Sequence, residues 1–108
     1  MDRTAVVMAD RDGLIQFWSP RAETAFGFPA SEAVGQSLDL IVPPEYRPDH
    51  WQGFRRAFSA GEASAEGQVG PFPVRLASGE IVATLGRLSL IRRPDGAVIG
   101  ALVAFETP

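Results

Sequence analysis

Three short clusters of turn-forming residues, Asp10-Arg11-Asp12-Gly13, Ala77-Ser78-Gly79-Glu80 and Pro94-Asp95-Gly96, divide the apolar parts of the chain into short runs. Glycine in each supplies the positive φ that a tight reversal needs, and Asp or Ser beside it favours the turn. The flanking runs read as strands. Residues Ala5 to Ala9 are rich in Val, and Leu14 to Trp18 alternates apolar and polar; Val69 to Leu76, Ile81 to Arg92 and Ala97 to Glu106 are β-prone. The first pair predicts a hairpin and the last three an antiparallel meander. Pro71 and Pro73 lack N–H donors, so the segment Gly67 to Leu76 belongs at a sheet edge.

Between these two groups the pattern is helical. Ser19-Pro20 is an N-cap followed by proline in the first turn, opening a helix through about Phe26 that Gly27 stops. Ser31 begins a second short helical piece that closes at Gly35. From Glu45 to Ala60, Trp51, Phe54, Ala57 and Phe58 share one face and Gln52, Arg55, Arg56 and Ser59 the other, with His50 at the edge of the apolar face. Two strands, short helices, one longer helix and three strands make an α+β pattern, with helices on one face of a five-stranded antiparallel sheet. At 108 residues the chain reads as one domain over 1–108.

Composition narrows the chemistry. Without cysteine there is no disulfide, thiolate metal site or cysteinyl flavin adduct. Without lysine all ten basic residues are Arg, and a Schiff-base cofactor has no attachment point. A net charge of −3 disfavours nucleic acid as a partner. The N-terminal apolar run is too short for a signal peptide or membrane span, so a cytoplasmic location is expected and no membrane association. The single His has no cysteine to activate, no Gly-x-Ser-x-Gly elbow is present, and the carboxylates are dispersed on turns. The chain reads as a binding module rather than an enzyme.

Residues Asp10 to Glu23 with Phe26-Gly27-Phe28, then Ser31 to Ser37, Leu40-Ile41-Val42-Pro43, Gly61-Glu62, Ser78-Gly79-Glu80 and Pro94-Asp95-Gly96, occur in the order and spacing of the PAS family, which the chain resembles along nearly its whole length. It departs at Ser19, where the family usually has Asn, and after Phe105, where an Asp-Ile-Thr signal commonly follows. The resemblance implies a sensory, signal-transducing fold with a cavity between the inner sheet face and the helices. A small ligand or cofactor bound there would be reported to an output kinase or another signalling domain. It also implies a possible homodimer, in keeping with the apolar character of both faces of Val98 to Phe105.

The segment Pro43-Pro44-Glu45-Tyr46-Arg47-Pro48-Asp49-His50 is similar to that of haem-binding PAS sensors. By that resemblance His50 is the proximal iron ligand of haem b, and Arg56 stands near a propionate. Trp51, Phe54, Phe58 and Leu88 supply apolar walls. The distal gas-site residues of those sensors fall on Gly70, Ala65, Gly86 and Leu88, which implies a roomier and less polar distal pocket. Two alternatives stay open. One is a cofactor-free or small-metabolite-binding module that works by dimerisation; the other is a noncovalent flavin packed near Trp18 and Trp51.

Overall fold

The computed structural model describes residues 3–108. Strand β1 (Thr4–Asp10) reverses at Asp10–Gly13 into β2 (Ile15–Trp18). The Asp10 carboxylate accepts from the backbone N–H groups of Asp12 and Leu14, so this side chain holds the turn closed. Helix α1 (Pro20–Phe26) and the single-turn helix α2 (Ala30–Ala33) follow, then 3-10 turns at Leu38–Leu40 and Pro44–Tyr46. Helix α3 (Arg47–Ala60) leads through a loop into β3 (Val69–Arg75), β4 (Ile81–Arg92) and β5 (Val98–Glu106).

The five strands form one antiparallel sheet in the order β2-β1-β5-β4-β3, so the N-terminal hairpin joins the C-terminal meander along β1 and β5. The β3 strand, with Pro71 and Pro73, pairs only with β4 and lies at the edge, as the missing N–H groups require. Several boundaries differ from the sequence pattern. Leu14 makes an isolated bridge to Ser37 instead of opening β2, and a register shift at Met8/Ala9 accompanies it. The second helix starts at Ala30 after Pro29, and the helical run from Glu45 is broken into a 3-10 turn and α3. The Leu38–Leu40 turn carries no periodic signal in the sequence.

Residues directly opposite in register share a face of the sheet. Ala5, Val7 and Ala9 on β1 therefore point the same way as Phe105, Val103 and Ala101 on β5 and Gly86, Leu88 and Leu90 on β4. On this inner face the core divides into two clusters. One gathers Ile15, Trp18, Ala22, Phe26, Val74 and Phe105 beneath α1 and α2. The other gathers Ala57, Leu90, Val98 and Ala101, with Phe54 and Phe58 against them.

Ser19 ties the hairpin to the first helix. Its hydroxyl oxygen accepts from Val6 N–H at 2.9 Å and from Ala22 N–H at 3.2 Å, and the residue is buried. Serine thus fills the joining role for which the family usually uses Asn. Ser19→Ala strands one helix-terminal donor and one strand donor, and the expected loss is about 1–2 kcal/mol in chemical denaturation. A variant as stable as the parent would show that these two bonds carry no weight.

Candidate functional site

Helix α3 does not lie flat on the sheet. Between its middle and the inner face is a cavity of about 690 Å³, within the range of small-molecule sites. The sheet side is apolar, with Val7, Leu88, Leu90, Ala101, Val103 and Phe105. The helix side contributes His50, Phe54, Ala57 and Phe58, and the exposed Asp49, Arg56 and Glu62 stand at the mouth.

His50 is the polar feature of the inner wall. Its Nδ1 is buried without a hydrogen-bond partner, the single such side-chain atom among the described residues. The ring lies 4.7 Å from Trp51 and 5.9 Å from Phe54. Burial pushes its pKa below the ordinary 6.5, and the neighbouring Asp39 carboxylate opposes this only in part. At neutral pH the imidazole is therefore neutral and has a lone pair to offer, the state in which histidine ligates a metal.

The sequence-expected wall residues separate. Phe54, Phe58 and Leu88 line the cavity, with the rings of Phe54 and Phe58 tilted by 39° and their centroids 4.7 Å apart. Arg56 reaches the mouth although the helical pattern put it on the opposite face, and among the described residues its guanidinium has no ion-pair partner. Trp51 does not line the cavity. Its ring packs on Gly13, where an added Cβ would fall 2.3 Å from the ring, and its Nε1 donates to Asp39 Oδ1 at 2.8 Å. Trp18 is buried in the first core cluster and donates to the Phe28 carbonyl. Neither tryptophan is placed to stack on a flavin in this cavity.

The distal expectations also divide. Ala65 and Leu88 border the cavity. The inner face at Gly86 is not roomier, because Phe72, Val103 and Phe105 converge on the place its side chain would occupy.

Four residues whose roles sequence reasoning missed hold the site together. Asp39, in the unforeseen 3-10 turn, receives Trp51 Nε1 and lies 3.6 Å from Arg47 Nε; Arg47 also donates to the carbonyls of Asp39 and Val42. Glu66 and Arg92 fasten the loop after α3. The Glu66 carboxylate accepts from Leu90 N–H and from both terminal nitrogens of Arg92, which also donates to the Gly61 carbonyl. This loop supplies Ala63, Ser64 and Ala65 to the cavity wall. The Trp51–Asp39 bond and the contacts of Glu66 and Arg92 are long-range, and no local spacing announces them.

A family model described as PAS fold matches residues 3–107. The oxygen sensor protein DosP of Escherichia coli (strain K12) is 30% identical over 61 residues, which is 56% of this chain and 8% of that protein. The PAS domain of a Colwellia psychrerythraea protein superposes with a TM-score of 0.82 at 20% identity, covering 99% of this chain and 87% of that one. The PAS domain of the quorum-sensing receptor RpfR of Cronobacter turicensis, in complex with C12:0, superposes with a TM-score of 0.77 at 17% identity over 99% and 95% of the two chains. Among the described residues no helix is long and apolar enough to cross a membrane.

Two titrations follow from this geometry. An imidazole whose folded pKa lies below 6.5 resists protonation, so its contribution is complete above that pH and is lost as the pH falls from 6.5 through the folded value. The only histidine gives an assignable NMR titration, expected to have a midpoint below 6.5 in ligand-free protein; a midpoint at or above 6.5 contradicts the buried placement. Glu66 is held down at about 2 by its bonds to Arg92 and Leu90, so its contribution is present above 4.5 and is lost as the pH descends toward 2. In urea titrations Glu66→Gln is expected to flatten that acid limb, and an unchanged limb would refute the assignment.

Proposed function

The chain belongs to the PAS family, and on that premise we propose that it is a sensory module whose cavity holds haem b, with His50 as the axial ligand from the protein. One observation carries the reading: the neutral imidazole of the only histidine stands in the wall of an apolar cavity. The likeness to the oxygen sensor protein DosP supports the same reading. Haem would supply an iron centre responsive to diatomic gases or redox state.

The chain's own residues have distinct parts in this. Desolvation keeps His50 unprotonated, and its contacts with Trp51 and Phe54 fix the plane of the ring. Phe54, Phe58 and Leu88 exclude water from the interior. Arg56 offers an unpaired guanidinium at the mouth, suited to a carboxylate on the occupant's solvent edge.

A second reading has its own support. An acyl-chain acid would also place an apolar body against the sheet and a carboxylate beside Arg56, and RpfR in complex with C12:0 shares the fold. Absorbance separates the two. Titrating haemin into the purified protein is expected to give a saturable Soret change that His50→Ala abolishes and Arg56→Ala weakens on the order of tenfold. A Soret band that survives His50→Ala unchanged would rule out this ligand. Failure to bind haemin, together with saturable binding of dodecanoic acid, would establish the acyl reading instead.

A further inference from the structure

We propose that Phe72, seated over Gly86, is the end wall that sets how long a ligand the cavity accepts. The proposal rests on the reading of the cavity as a ligand site, and it holds for either kind of occupant. Gly86 stands on the inner face of β4, where the other inward positions, Thr84, Leu88 and Leu90, carry side chains. A Cβ at Gly86 would lie 3.0 Å from Phe72 Cδ2, 3.0 Å from Val103 Cγ1 and 3.1 Å from Phe105 Cδ1, so three side chains have closed onto the bare backbone. Glycine in a strand interior commonly marks such a close approach, with an aromatic neighbour covering the gap.

The two rings of this wall differ in freedom. Phe105 is buried in the central strand β5 and packs edge-on against Phe26 at 5.2 Å. It is fixed. Phe72 is only partly buried, lies on the edge strand β3 between Pro71 and Pro73, and meets a single other ring, Phe105, at 5.7 Å. Behind it Gly70 pairs directly with Gly86, and a Cβ at Gly70 would meet nothing within 4 Å. Phe72 thus lines the cavity and covers Gly86, and neither Gly86 nor Gly70 lines it. Truncating this one side chain lengthens the cavity at that end, and the terminus of a ligand that stops there must be apolar, since Phe72, Phe105 and Val103 present no polar atom to it.

The test uses a graded series of n-alkanols from hexan-1-ol to dodecan-1-ol, measured by calorimetry on the wild type, Phe72→Ala and Phe72→Leu. Circular dichroism confirms that each variant is folded. In the wild type, affinity should rise about fourfold per added methylene up to a cut-off length. The cut-off should move to longer chains in Phe72→Ala and by a smaller step in Phe72→Leu. Equal weakening of every alkanol with the cut-off unmoved would reduce Phe72 to a structural residue and overturn the proposal. If the wild type binds neither the alkanols nor haemin, the reading of the cavity falls and this inference with it; binding with an unmoved cut-off removes the inference alone.

Discussion

A helix that spans a cavity cannot be held by its middle. In most α+β domains an amphipathic helix is fixed by burying its apolar stripe on the sheet, whereas α3 meets the inner face mainly near Ala57, beside Leu90, Val98 and Ala101. The remaining restraint comes from its two ends. At the N-terminal end Trp51 rests on Gly13 and donates to Asp39, and Arg47 reaches back to two carbonyls. At the C-terminal end Gly61 caps in the left-handed conformation, and the loop beyond it is bound to β4 through Glu66 and Arg92. The cavity exists because these contacts set the height of α3 above the sheet without filling the space below it.

Gly13 shows how closely the parts depend on one another. Its φ of +77° meets the demand of the β1–β2 turn, and its missing side chain makes room for the Trp51 ring. The same residue closes the hairpin and supports the helix. Asp39 has a similar double position, because its carboxylate receives Trp51 and lies near enough to His50 to oppose the effect of burial on the imidazole. The seat of the helix and the electrostatic setting of its histidine are thus built from one turn.

The strand pattern, the edge position of the proline-bearing strand and the presence and C-terminal end of the long helix were legible because each rests on a local rule: alternation, a missing N–H donor, a period near 3.6. The orientation of Trp51 was not. Its spacing from Phe54 and Phe58 fits one apolar stripe, but a residue at the margin of a stripe turns toward whichever partner it finds, and here that partner is Gly13, far away in sequence. Arg56 departs in the opposite sense. Because α3 stands off the sheet, the arc of the helix that borders the cavity is wider than its apolar stripe, and a charged residue stands at the mouth. Gly86 read as spare volume by resemblance, and no local pattern singled out Glu66. The sequence names the residue, and only the tertiary fold brings Phe72 or Arg92 to it.

The placement of His50 has a consequence for signalling. On the proposed reading an occupant drawn to its ring would stand between α3 and the apolar floor carried by β1, β4 and β5. A ligand shifts a protein between conformations only by as much as it prefers one of them, and here the two surfaces it touches are held by different means. The floor is fixed by continuous strand pairing on both sides of β5. The middle of α3 depends on packing across a partly empty space, and packing across a void forfeits contact energy that an occupant restores. On the proposed reading the softer surface would accommodate the ligand. Because α3 is tied at one end to Asp39 and Gly13 and at the other through Glu66 to β4, a change in its height would be transmitted to the β1–β2 turn and to the C-terminal end of β4.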